Sequence, residues 1–194
     1  MITEKSNNSY QKRNLSPIIF FVFCSIIFCG SQSNSIVNEL NNLKSDHLET
    51  NKKAIFELHK NGKKSIPLLI KEISDNTKVM NQIQNPKYSF YGETHVFFGV
   101  FSAYVIELIL GREKLNTENS YKSLFLLEKS TNYIYTRGLI IDEENRIINE
   151  EDLIKIRKIY EAWWEQNRSK SIEQLRDDWR NNIRPLSGSK YHWE

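Results

Sequence analysis

The sequence predicts an all-α protein, a stack of antiparallel helices, and three observations carry that prediction. Gly and Pro are scarce, 7 and 4 in 194 residues, so few turns are forced and helices are favoured over a many-stranded sandwich. Apolar residues recur at helical spacing in most of the segments after residue 35. Those segments are bounded by cap residues in front and by Gly or Pro behind, which is the punctuation of helices.

Three parts are expected in order: an export signal over residues 1–28, a flexible tether over 29–35, and a single helical domain over 36–194. Lys12 and Arg13 precede Pro17 and an apolar run of eleven residues, Ile18–Phe28. A membrane-spanning helix needs about 20 apolar residues, whereas a cleaved signal needs about 7–15. Run length and positive flank therefore point to export. Cys29–Ser35 is small and polar, the composition of a flexible linker.

Ile26-Ile27-Phe28-Cys29, followed by Gly30, resembles the end of a bacterial lipoprotein signal. The aliphatic position, the Cys and the small residue after it match, and Phe28 stands where Gly, Ala or Ser is usual. The resemblance implies lipidation of Cys29, palmitate included. It also implies attachment to a membrane of the cell envelope, at the outer membrane or the periplasmic face. Cys24 lies inside the apolar run and would leave with it, so no free thiol would remain in an oxidising compartment. Cleavage after Ser31 to a secreted soluble protein, and an uncleaved anchor, are the alternatives.

In the domain itself, Ile36, Val37, Leu40, Leu43 and Leu48 make the first stripe. Ala54, Ile55 and Leu58 make the second, with Gly62 as its stop. Ser65 is the expected N-cap of the next helix, with Pro67 in its first turn and Leu68, Leu69, Ile70 and Ile73 following. The stretch Ala54–Ile73, with Gly62 ending one helix and Ile66-Pro67 opening the next, resembles a HEAT-type helical hairpin. The resemblance implies a HEAT-like stack, although no second copy recurs at a fixed period. Asn76–Gly92 reads as a long loop. Thr94–Leu110 is apolar on all sides and is expected to be the central helix of the core, since Glu107, Gly99 and His95 argue against lipid. Tyr121–Leu127 starts a further helix. Residues 139–148 fit either one small β-hairpin or an irregular connection.

Asn149 with Asp152, and Ser171 with Gln174, are spaced as capping boxes. The first should open a helix lined by Leu153, Ile156, Ile159, Tyr160, Trp163 and Trp164. The second should open a helix with the stripe Ile172, Leu175, Trp179 and Ile183, ending before Pro185. Tyr191 and Trp193 are expected to pack back on the domain.

Composition limits the function. The formal net charge is +3, but without residues 1–28 the chain holds 24 basic and 23 acidic residues. That balance lacks the electrostatic footprint of a nucleic-acid binder. No Gly-x-Ser-x-Gly elbow, phosphate-binding glycine loop or paired-histidine motif occurs, and no cofactor or metal is expected. His47 and His59 are expected at the surface or rim. Glu93 and His95 are the weak catalytic candidates, an acid–histidine pair that fits a base with its orienting acid but more simply a helix start. The aromatic residues are the better lead. They read most simply as core filler in a helical stack. The sharper alternative is a groove for a protein or glycan partner, with Tyr160, Trp163, Trp164 and Trp193 as the candidate binding residues, because Trp and Tyr dominate binding hot spots. The reading that follows is a non-catalytic, lipid-anchored protein-interaction module at the bacterial envelope with an unknown protein partner. The alternatives are an envelope hydrolase or metal-dependent enzyme around Glu93 and His95, an immunity or inhibitor protein against an envelope-directed toxin, and a structural lipoprotein.

Overall fold

Local cap chemistry accounts for the ends of the two C-terminal helices in the computed structural model, which describes residues 35–80, 95–111 and 140–193. The Asn149 side chain accepts the N–H groups of Glu151 and Asp152 at 2.9 and 3.2 Å. The Asp152 carboxylate accepts the Asn149 N–H in return, at 3.3 Å. Ser171 and Gln174 make the same reciprocal pair. Each box satisfies donors that a helix start otherwise leaves bare.

The protein is mostly helical, and the described residues include two small antiparallel strand pairs. In chain order the elements are α1 (residues 35–43), α2 (Leu48–Asn61), a 3-10 turn (Gly62–Lys64), α3 (Ile66–Glu72), β1 (Lys78–Met80), β2 (His95–Phe97) and α4 (Phe98–Gly111). After these come β3 (Ile140–Ile141), α5 (Glu150–Asn167), α6 (Ile172–Arg180) and β4 (His192–Trp193). Residues Ile36–Glu194 form one compact unit. Cys29, Glu93, the aromatic residues Tyr88, Phe90 and Tyr91, and the helix expected over Tyr121–Leu127 lie outside the described residues.

α4 is the axis of the core: every residue from Phe98 to Leu110 is buried. The helices α2, α3 and α6 pack on it, and α5 packs on α3. Among the described residues, no helix is long and apolar enough to cross a membrane. The close α3–α4 approach depends on Gly99, where a Cβ would fall 2.0 Å from the Ile73 carbonyl oxygen. Carbonyls of the segment after α3 cap the start of α4: Phe98 N–H donates to Thr77 at 2.8 Å and Gly99 N–H to Asp75 at 2.9 Å.

Four expectations are corrected. The central helix begins at Phe98 rather than Thr94, because Lys78, Val79 and Met80 pair with Phe97, Val96 and His95 as strands. Ser65 sits at the start of α3 without capping it; its hydroxyl instead donates to the Leu58 carbonyl of α2 at 2.8 Å. Gly62, at φ +55°, is what turns the chain between α2 and α3. His59 is buried, 7% exposed, because it shares the inward face of α2 with Ile55 and Leu58. Ile183 is 55% exposed: α6 ends at Arg180, and Asn182 at φ +62° turns the chain before the stripe reaches Ile183.

Of the segment expected over 139–148, the described residues 140–148 form a turn with one bridge, Ile141 to Ile147. Its strand β3 pairs with β4 from the C-terminus, Ile140 opposite Trp193. Asp142 organises the turn: it accepts the N–H groups of Glu144 and Arg146 at 2.9 and 3.0 Å and pairs with the Arg146 guanidinium at 2.8 Å. Those bonds hold its carboxyl at about 2.

Candidate functional site

Two groups of side chains carry the chemistry of the described residues. The first is built on Glu107, the one carboxylate of α4, buried amid its apolar neighbours. A buried carboxyl has to find donors inside the protein. The Tyr160 hydroxyl of α5 donates to its Oε1 at 2.9 Å, and the Trp179 indole N–H of α6 donates to its Oε2 at 2.6 Å. Gly111, one turn further along α4, makes room for Trp179, since a Cβ there would come 2.9 Å from the indole ring. Arg184 stacks over the other side of Trp179, 4.2 Å from a ring centroid, and its charge reaches Glu107.

Burial raises the Glu107 carboxyl above its ordinary range, against the opposing pull of the Trp179 and Tyr160 hydrogen bonds and the Arg184 charge. Burial and the adjoining carboxyl push the Tyr160 phenol well up, so it stays protonated and keeps donating. The Trp193 indole N–H is buried and makes no hydrogen bond among the described residues. Its ring packs edge-on to Tyr104 with centroids 6.3 Å apart. Nearby in sequence, the Tyr191 hydroxyl donates to Asp152 at 2.8 Å, which ties the C-terminal segment to the first turn of α5. Each Glu107 oxygen accepts a donor from another helix, so the group positions α4, α5 and α6.

The second group is on the other part of α5. Trp163 and Trp164 are both half-buried, with ring centroids 6.1 Å apart and planes tilted by 40°. Lys63, from the 3-10 turn, holds its ammonium 6.0 Å from the Trp164 ring centroid and donates to the Lys170 carbonyl at 2.6 Å. Lys170 in turn pairs with Asp178 at 2.7 Å. Two turns distant in sequence are thus joined beside a tryptophan pair.

Tyr160 is therefore a correction: it is fully buried, because the pitch of α5 puts it with Leu153 and Ile156 on the helix's inward face. Its hydroxyl belongs to Glu107 rather than to an open groove. Trp163 and Trp164 remain part-exposed, and Trp193 is half-buried against the core. His95 opens β2, while Glu93 and Cys29 lie outside the described residues. Among the described residues, no three His, Cys, Asp or Glu side chains are gathered as a metal would need.

A family profile described as a domain of unknown function, DUF4943, matches residues 31–194. The chain belongs to the DUF4943 family. No curated protein and no solved structure matches it. The DUF4943 match takes in both clusters, and it begins two residues after Cys29. The residues missed by sequence reasoning are Glu107 as a hub, Arg184 and Lys63. A lone carboxylate in an apolar helix signals the first; nothing local signals the other two.

Proposed function

We propose that this chain is a lipid-anchored, non-catalytic helical interaction module of the bacterial cell envelope, HEAT-like in its packing, that binds a protein partner. The observation that carries the reading is the Trp163–Trp164 pair, part-exposed and side by side on a long, well-capped helix. Half-exposed tryptophans on a rigid element supply large contact area at little cost in conformational freedom. The buried acid of the domain, Glu107, supports the same reading, because its oxygens are occupied in holding helices together. The N-terminal signal ending in Cys29 supplies the anchor.

Fractionation of cells expressing the full chain tests the location. The chain is expected in the membrane fraction with the mass of a diacylated Cys29, and Cys29→Ser is expected to leave that fraction. A photo-crosslinking residue at position 164 tests the binding. It is expected to give one discrete adduct that Trp163→Ala abolishes in a folded chain; no adduct in the envelope would sink the module.

A further inference from the structure

The cations of α2, the 3-10 turn and the end of α5 are not alike. Lys60 faces Glu57 at 3.6 Å, Arg168 faces Glu165 at 3.2 Å, and Lys170 faces Asp178 at 2.7 Å. Lys63 has no carboxylate among the described residues. Its half-buried ammonium rests on one carbonyl and the Trp164 ring. Taking a cation part-way out of water without a counter-charge is unfavourable, and a single carbonyl satisfies only one of its three donors. Its other two donors are left to water, and an anion is the group that would satisfy one of them with opposite charge.

We propose that Lys63, Trp163 and Trp164 form the docking site for an acidic segment of a partner protein, one carboxylate pairing with Lys63 while an apolar or aromatic neighbour covers the tryptophans. The proposal rests on the interaction-module reading and names the chemistry of its partner. A protein segment is favoured over a lipid surface because Trp163 and Trp164 pack against the core. Rings held in that way form a fixed ledge and do not project for insertion among headgroups. Lys63 is also held in place before binding, which lowers the cost of ordering it.

The test uses the full-length chain in detergent with a fluorophore-labelled random copolymer of glutamate and tyrosine, read by anisotropy. Vesicles of phosphatidylglycerol serve as the lipid arm. The wild-type chain is expected to bind the copolymer, and Lys63→Gln and Trp164→Ala each to weaken it about tenfold, as losing one half of a close charge pair or a central aromatic does. Lys158→Gln, an exposed lysine elsewhere on α5, is expected to leave binding unchanged. Lys63→Gln alters one part-exposed side chain at a turn, so it stays informative even where Trp164→Ala misfolds. Three results overturn the proposal: no binding to the copolymer, equal weakening by Lys158→Gln, or binding to the vesicles alone. Membrane retention through Cys29 is scored separately, so loss of anchoring with copolymer binding intact would fail the assigned location and leave the docking site standing.

Discussion

Glu107 and Lys63 are both ionisable side chains drawn away from water, and the fold treats them in opposite ways. Glu107 sits in the core with a donor on each oxygen, from helices that lie 53 and 72 residues further along the chain. Lys63 sits at a turn with one carbonyl and one ring for company and no counter-ion among the described residues. A fully partnered group contributes to the fold and has nothing left to offer a ligand. A half-partnered one stabilises little and remains available. The contrast separates the part of this domain that holds shape from the part proposed to meet a partner.

The hardest test of that contrast is removal of the hub. Glu107→Ala leaves the Tyr160 hydroxyl and the Trp179 N–H without acceptors and opens a cavity. The expected loss is about 3–5 kcal/mol by denaturant unfolding. Glu107→Gln keeps one acceptor oxygen and the volume, and should cost about 1 kcal/mol. Equal and small losses for both variants would break the comparison, because Glu107 would then not be a hub.

The pH dependence sharpens it further. The Glu107 carboxyl is raised above 4.5, so its stabilising effect is complete below that value and is lost as the pH rises through its folded value. Asp142 is the reverse. Held at about 2 against an ordinary 3.8, it stabilises the fold above about 4, and that effect is lost as the pH falls toward 2. Unfolding measured across the pH range should show Glu107→Gln flattening the decline above 4.5, and Asp142→Asn flattening the acid-side loss. A Glu107→Gln chain with the wild-type profile would mean that burial does not raise the carboxyl.

What the sequence made legible divides along the same line. The capping boxes at Asn149 and Ser171 are local, fixed within three residues, and they fold as their spacing predicts. The helix α4 is legible because an all-round apolar run has one place to go. β1 and β2 are three residues each, too short for an alternation to register against the helical run that follows. Ser65 has the composition of a cap, but a buried carbonyl seven residues back competes for its hydroxyl. Tyr160 and Trp163 look equivalent in the stripe of α5, and only the phase of α5 against α4 sends one to Glu107 and leaves the other near the surface. The Lys63 site depends on two turns 107 residues apart, and no spacing rule reaches that far.

The tryptophan face should respond in a mixed way, being packed and available at once. Trp164→Ala removes a half-buried ring and its long contact with the Lys63 ammonium, and a loss of about 1–2 kcal/mol is expected, below that of a fully buried aromatic. Its effect on binding should be the larger one. A stability loss as great as that of Glu107→Ala would place Trp164 with the hub, and the division between the two regions would fall.

Lys63→Gln is the smallest expected change and the most discriminating. The lysine contributes one hydrogen bond to a carbonyl and a distant ring contact, and against that stands the cost of a part-desolvated charge with no counter-ion. These oppose one another, so unfolding should shift by less than about 0.5 kcal/mol in either direction. Glutamine keeps a donor for the Lys170 carbonyl and drops the charge, which removes the unfavourable part and retains most of the favourable part. A clear stabilisation would strengthen the argument, since it would mean that the fold tolerates Lys63 at a cost that only binding recovers. A loss comparable to that of Trp164→Ala would mean that Lys63 is a structural tie between the two turns, and its missing counter-ion would no longer point to a partner.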